Sequence, residues 1–548
     1  MYSNKVLLDI EVFPNYFLLG FKDYLTGKTE SIEVSPYKDE REKLIEWLIK
    51  YKGFVISFNG IYYDNVVLAF IRVEWESLNW LEPEDFCWKI KQFSDRVINS
   101  DSYWEELKPY KYVFQNQWKD VDLFLYWSKG LRQSKKISLK GLGIQLGYPV
   151  IMELPYNPDT YLTEEQIEHV KVYNLEHDLG VLALLCQSKK EEIKLRQYIN
   201  EFYGISCWSW DAPKIASEYL LDRHCKVTQQ YKRDVRNTRY NKEDFKIGTY
   251  LPTFNFKTRF FQDLYSEIQN SYNTFTKEFV YTTGKEHNIK VSIGVGGIHS
   301  LLSNTIYKSN SNLTIYTSDI ASLYPTNLIN YGFIRPDLKS VLKDYSLVKQ
   351  DRLQAKKEGN KTKDTFLKLV LNSLTGLLDN EFSWLYSPAQ INALRITGQL
   401  QLLRTLEELT LNDFKVLSMN TDGIECFVDN DKNQLYIDIM NFLEEEFNFI
   451  WEHDKYKEIY FQNINSYIAV TESNKIKKKG LFVTDPDLGN SVNFLVIPKC
   501  LELYFTKGIR PDLILSDPKK YNLHIYDFCA SFKTSRDYQV IWNNQKQQ

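Results

Sequence analysis

Several things are missing from this chain of 548 residues, and each absence closes off a class of protein. No stretch approaches the ~18 consecutive apolar residues that a membrane-crossing helix needs, so no membrane partner is expected. The first 13 residues, MYSNKVLLDIEVF, hold one lysine and too short an apolar run for a secretory signal. Cysteine is scarce: seven, an odd count, with no Cys-x-x-Cys pair. That argues against a disulfide framework or a zinc site, and for reduced thiols in a cytosolic setting. An excess of one charge is missing too, since 68 Lys and Arg face 71 Asp and Glu for a net charge of −3. A histone-like binder is thereby excluded, and any nucleic-acid contact has to come from local basic patches. No internal repeat or low-complexity segment is present.

What is present is an ordinary globular balance, 43% hydrophobic and 25% charged, with length for several domains rather than one core. Aromatics are plentiful, 38 Tyr and 32 Phe; most must be core, leaving some to stack on bases.

The first part of the chain alternates strand and helix signals. Residues 5–12 read as a strand in which Asp9 and Glu11, two apart, share one face. Two acids on one sheet face repel unless a cation sits between them. A buried strand at 54–58 runs into Asn59 and Gly60, and a helix follows Tyr63 and Asp64 through Phe70. Residues 118–127 look like a strand carrying Asp122, and 138–146 like a short helix. Thr163 and Gln166 make a capping box that opens a helix carrying Asp178. Asp9, Glu11, Asp64 and Asp178 resemble, in order, the four metal carboxylates of 3′–5′ DNA exonucleases of the DEDD type. Asn59-x-x-x-Tyr63-Asp64 matches the second motif of that group. The third motif, usually Tyr-x-x-x-Asp, is one residue longer here: Tyr173 stands five before Asp178, and Asn174 occupies the usual Tyr place. The resemblance implies that the four acids hold two divalent ions, with Tyr173 orienting the attacking water and Asn59 meeting single-stranded DNA. Oxygen ligands favour Mg²⁺ or Mn²⁺ over zinc. Lys136 and Lys140 are the candidates for a catalytic lysine of that group. Scattered acids at strand and helix ends are the plainer alternative.

The middle is less informative. Arg233, Arg236, Arg239 and Lys242 form either a solvated face or a nucleic-acid contact. Gly296 and Gly297 in SIGVGGIHS permit positive φ and close backbone approach, or form a simple turn.

Residues 316–325 read YTSDIASLYP. Thr314, Ile315 and Tyr316 should enter a sheet interior, Asp319 should end the strand, and Pro325 should bar Tyr324 from helix. The string Asp-x-x-Ser-Leu-Tyr-Pro resembles motif A of family B DNA polymerases. Lys368, Asn372 and Thr375 lie at helical spacing on the second helix of a hairpin broken at Gly359-Asn360, and Lys-x-x-x-Asn-Ser-x-Thr-Gly resembles motif B. A hairpin with Asn420-Thr421-Asp422 at its tip resembles motif C, with Asn420 in place of the first Asp. The paired glycines stand where that family links exonuclease to palm, without its Tyr. Tyr467 is what remains of its Lys-x-Tyr, in a strand-like run over 459–470. Lys477, Lys478 and Lys479 either contact duplex phosphates in compensation or make an exposed turn.

The resemblance implies an α/β and α+β multidomain chain, an RNase H-like exonuclease followed by a right-hand polymerase of palm, fingers and thumb. Its motif order divides the chain into exonuclease (1–195), a connecting region (196–312), palm (313–345), fingers (346–380), palm again (381–465) and thumb (466–548). It implies that Asp319, Ile320 and Asp422 hold two Mg²⁺ ions and that Tyr324, beside Leu323, lies under the sugar. It implies further that Lys368 and Arg352 meet the triphosphate, and that Asn372 lines the new base pair. Primer–template DNA, dNTPs and phage replication proteins would be the partners, in the cytoplasm of an infected bacterium. Asp319 to Lys368 spans 49 residues, short for the insertion of protein-primed phage polymerases, so protein priming is not expected. The alternative is an exonuclease or DNA-binding replication accessory whose polymerase site has decayed at Thr375, Asn420 and Asn465.

Overall fold

The computed structural model describes residues 4–99, 108–126, 138–150, 152, 154–238, 240, 243–485, 494–529, 541–542 and 545–546. Lys136, Arg239 and Lys242 lie outside them. The chain forms two compact units. One holds Met1–Asp211 with Asp485–Leu495 and Leu523–Gln548; the other holds Ala212–Thr484 with Val496–Asn522.

The first unit is built on a six-stranded sheet. Its strands are β1 (Lys5–Phe13), β2 (Tyr16–Asp23), β3 (Thr29–Ser35), β4 (Lys38–Asp39), β5 (Phe54–Ser57) and β6 (Lys119–Asp122), in the order β4-β3-β2-β1-β5-β6. β1 to β4 pair antiparallel, whereas β5 and β6 run parallel to β1. The two faces of β1 feed two cores, as period two requires. Val6, Leu8 and Ile10 join residues of α1 (Asp64–Val73) and α2 (Pro83–Asn99). Leu7 joins Ile56, Val121, Leu179 and Leu182 on the other face, the one that also carries Asp9 and Glu11.

The expected strand over 118–127 stops at Asp122 and gives way to a 3₁₀ turn, Leu123–Tyr126. The Asp122 carboxylate ends it by accepting the Phe124 N–H at 3.0 Å. The Thr163–Gln166 capping box is formed, and the helix it opens is interrupted. α3 (Glu164–Val172) passes through a π turn, Tyr173–Asp178, before resuming as α4 (Leu179–Ser188).

The second unit centres on a ten-stranded sheet. Nine strands lie in the order β16-β15-β14-β11-β13-β12-β9-β8-β7, and the tenth, β10 (Thr305–Lys308), pairs with β14. β7 (Lys277–Thr283), β8 (His287–Gly294) and β9 (Gly297–Ser300) form one end. β11 (Leu313–Ile320) lies between β13 (Gly423–Asp429) and β14 (Trp451–Asn463), with β12 (Lys415–Asn420) beyond β13. β15 (Ser466–Thr471) and β16 (Ile476–Lys479) close the other end. The run over 459–470 is therefore a hairpin, not one strand: Asn463 Oδ1 accepts the Asn465 N–H at 2.9 Å and folds the chain back. Lys477, Lys478 and Lys479 lie in β16 rather than in a turn.

Pro325 does not exclude its predecessor from helix. α5 (Leu323–Tyr331) starts two residues earlier, so the proline sits in the first turn, where its missing N–H breaks no helical bond. Ser322, with φ 54°, turns the corner between β11 and α5. α6 (Lys339–Lys357) and α7 (Lys361–Asp379) form the expected hairpin, with Gly359 at φ 69° and the Asn360 side chain accepting the Lys363 N–H. α8 (Pro388–Leu411) is buried along most of its length and supplies Leu400, Leu403 and Leu406 to the sheet's main core. Among the described residues no helix is long and apolar enough to cross a membrane, and all seven cysteines are free.

Candidate active sites

In the first unit, β1 brings Asp9 and Glu11 to one face, and the π turn delivers Asp178 to meet them. One oxygen from each of these three acids lies within 4.8 Å of the others. Asp64 opens α1 behind them, with Oδ1 accepting the Ile10 N–H at 3.1 Å. Burial, then the charges of Asp64, Asp178 and Glu11, push the Asp9 carboxyl well above its usual range. Burial and then Asp178 push Glu11 up to about 8. Burial pushes Asp64 up to about 7, although the Ile10 N–H and its own backbone pull the other way. Four acids so crowded hold protons or a cation, since bare like charges in a half-buried site repel.

The rest of this site is scaffolding. Asp122 accepts the N–H groups of Asn59 (2.8 Å) and Ile61 (3.1 Å), pinning the loop that launches α1; Asn59 has φ 67°. Tyr63 hydrogen-bonds Ser94 at 2.8 Å. The ring of Tyr173 stacks on His177, 5.1 Å between centroids. Burial first, then the charges of Asp178, Glu11 and Asp9, push the Tyr173 hydroxyl upward, so it borders the acids. His177 Nδ1 lies 2.8 Å from Asp178 Oδ1. Asn174, the departure from pattern, donates from Nδ2 to Asp9 Oδ2 at 2.7 Å and reaches Glu11 Oε1 at 3.4 Å. Lys140 is on the short helix Leu139–Gln145, which Ser138 caps.

In the second unit, Asp319 near the end of β11 pairs in register with Gly423 of β13 and Glu452 of β14. A Cβ at Gly423 would lie 2.2 Å from Asp319 Oδ1, so the carboxylate lies across that glycine, next in sequence to Asp422. Thr421, at φ 55°, and Asp422 form the two-residue tip between β12 and β13. Ile320 donates its N–H to the Asp422 carbonyl at 2.8 Å and its side chain is in the core, so of this residue only the backbone carbonyl is left to meet a ligand. Both carboxylates open to solvent. Desolvation by the surrounding protein, and for Asp319 the charge of Asp422, raise them; Lys479 lowers both. Asn420 offers no charge: its amide reaches the Ile464 carbonyl at 3.4 Å, and its Oδ1 accepts from Thr421. Glu425, next along the same face, accepts from Ser418 and is pushed up to about 7, chiefly by burial.

The remaining residues divide. Tyr324 is half-buried; burial raises its hydroxyl, Arg395 lowers it and Asp422 raises it, so it borders the acids. Leu323 is buried against Gly398 of α8. Gln399 grips the backbone of Gly294 at both N–H (3.0 Å) and carbonyl (2.8 Å), fixing the turn of Gly296 and Gly297. Gly297 alone of these two has positive φ, 107°, and the adjacent Ile298 carbonyl accepts the Thr421 N–H at 2.8 Å. Lys368 and Asn372 are exposed on one face of α7, with Thr375 half-buried. Tyr467 pairs in register with Lys479.

Arg352 is not a free cation: its Nε bonds Asp364 Oδ1 at 2.9 Å across the α6–α7 hairpin. Two lysines, by contrast, form no ion pair among the described residues. Lys349, half-buried on α6, donates to Thr326 Oγ1 at 2.9 Å, and burial lowers its pKa with no carboxylate to offset it among the described residues. Lys477 pairs with Asp454 and Lys478 with Glu502, whereas Lys479 is exposed and in no ion pair among the described residues, its charge bearing on Asp319 and Asp422. Pairing decides which lysines are available, and nothing in the local sequence reports it.

No protein-family model matches this chain, and no curated protein does. Among solved structures it is similar to the family B DNA polymerase from the hyperthermophilic archaeon Pyrobaculum calidifontis, with a TM-score of 0.47 and 12% identity, over 95% of this chain and 66% of that one. The chain thus spans just under two thirds of that protein's length.

Proposed function

We propose that this chain is a compact, phage-like family B DNA polymerase that extends a primer on a DNA template and removes mispaired 3′ ends, serving viral genome replication in an infected bacterium. The observation that carries the reading is the meeting of Asp319 and Asp422, 103 positions apart in sequence, at adjacent strand ends with Tyr324 beside them. In this reading the first unit is the RNase H-like exonuclease, and the second supplies palm, fingers and thumb. Its partners are primer–template DNA, dNTPs and phage replication proteins.

Both acid sets offer oxygen donors only, which fits Mg²⁺ or Mn²⁺. When bound, such ions supply Lewis acidity, lowering the pKa of the attacking oxygen and offsetting phosphate charge. Asp319, Asp422 and the Ile320 backbone would hold them in the second unit; Asp9, Glu11, Asp64 and Asp178 would do so in the first. The other residues position. Tyr324 bears on the sugar, where its bulk selects against a 2′-OH. Lys349, Lys368 and Lys479 present cations to the triphosphate and the primer phosphates, and phosphoryl transfer needs little beyond such placement. Tyr173 faces the water of the exonuclease step.

One observation favours the reading of a nuclease with a decayed polymerase site. Among the described residues, Asp9, Glu11 and Asp178 are the only three metal-ligating side chains within 4.8 Å of one another, while Asn420 is neutral. A primer-extension assay with Mg²⁺ separates the two. Incorporation that disappears in Asp319→Ala and Asp422→Ala supports the polymerase. Mismatch removal without any incorporation leaves the nuclease.

A further inference from the structure

The residue added between Tyr173 and Asp178 changes what the helix presents to the acids. In an uninterrupted α-helix, positions four apart share a face while positions five apart drift off it. The π turn widens the helix over Tyr173–Asp178. Tyr173 borders Asp178, and Asn174 reaches the pair on β1. Asn174 has no exposed surface, and its Oδ1 has no hydrogen-bond partner among the described residues. The amide is wedged over β2 at Gly20, the residue in register with Asp9. A Cβ there would lie 1.9 Å from Asn174 Oδ1. A side chain that leaves its own oxygen unsatisfied in order to share one NH₂ between two carboxylates is committed to those carboxylates.

We infer that Asn174 is a positioning residue for a divalent cation: its amide, seated on Gly20, holds one oxygen each of Asp9 and Glu11 and so fixes the two carboxyl groups where they converge with Asp178. This rests on the metal reading of the first unit. A single neutral donor keeps the two carboxyl groups side by side before any ion arrives, so the binding free energy is not spent on gathering them. Gly20 belongs to the same device, because only a residue without Cβ leaves the amide its seat.

The test uses the full chain carrying Asp319→Asn and Asp422→Asn, which silences the other acid pair, and counts bound Mn²⁺ by electron paramagnetic resonance. Asn174→Leu keeps the branched shape and removes the donor. Gly20→Ala leaves the amide in place chemically and displaces it sterically. Each is expected to weaken Mn²⁺ binding by roughly 10- to 100-fold, the range for lost partners of metal ligands, and the double variant by no more than the worse single one. Mn²⁺ affinity within twofold of the reference in both variants overturns the inference, even if their melting temperatures fall, because packing alone then explains Asn174. If the reference protein binds no Mn²⁺ that Asp9→Asn abolishes, the metal reading of the unit fails first, and the inference with it. If Asn174→Leu does not fold, Gly20→Ala decides.

Discussion

The two acid sites solve the same electrostatic problem differently. In the first unit, half-buried carboxylates from β1 and the π turn crowd together with Asp64 behind them, and only the Asn174 amide stands between two of them. In the second, two carboxylates at exposed strand ends have lysines of β16 bearing on them. Crowding with little compensation produces a site that holds protons or a cation. Exposure with nearby cations produces a site that tolerates emptiness and can accept a polyanion. In the proposed reading the first arrangement serves metal binding, the second a substrate that brings charge and leaves.

The sharpest way to break this comparison is to remove one acid from each site. Asp422→Ala is expected to lower primer extension by at least about 10³-fold while sparing mismatch removal, and Asp9→Ala to do the reverse. Parallel loss of both activities from either substitution, in a stopped time course on mismatched primer, would show that the sites are not independent. Gly423→Ala should come next. Its methyl would lie 2.2 Å from Asp319 Oδ1, so the carboxylate must swing away. Extension should fall on the order of 10²-fold with an unchanged melting temperature, in keeping with the sensitivity of reactions to misplacement of about 1 Å; full activity would mean that Asp319 works from another rotamer.

Lys349 and Arg352 sharpen the contrast between free and paired cations. Lys349→Met should raise KM for dNTP about tenfold, the equivalent of one charge-assisted hydrogen bond, without lowering the melting temperature. Arg352→Ala should lower the melting temperature and leave KM nearly unchanged, since its guanidinium is occupied by Asp364. The opposite pattern would return the phosphate to Arg352.

The smallest effect is on stability against pH. Glu11 is raised from 4.5 to about 8 and Asp64 from 3.8 to about 7. Between those values the folded protein holds protons that the unfolded chain has released, so folding is favoured at low pH and stability falls as pH climbs through that window. Without divalent ions the unit should melt at a lower temperature at pH 8 than at pH 5.5. Mg²⁺ should flatten the difference by taking the protons' place. Calorimetry showing a rise in melting temperature over the same interval would remove the crowding on which the comparison rests.

Much of this architecture was legible locally. Asp9 and Glu11 declared their common face by period two, Thr163 and Gln166 declared a helix start, and Gly359-Asn360 declared a hairpin. Other readings failed because a neighbour outweighed a local preference. Pro325 sits inside a helix because a first turn has N–H groups to spare. The run over 459–470 folds back because Asn463 catches the Asn465 N–H. The spacing of Tyr173 and Asp178 looked one residue too long, and the π turn absorbs that residue.

Sequence alone, through residue type and spacing along the chain, determined which acids occur, which of them share a strand face, and where helices start and stop. These are properties of a few successive dihedrals and side chains. Only the tertiary structure decided that Asp319 lies across Gly423, that Arg352 is ion-paired while, among the described residues, Lys349 and Lys479 are not, and that Asn174 stands between Asp9 and Glu11. Each of those facts depends on a partner 12 to 165 residues away, and chain-distant pairing leaves no mark on the local pattern.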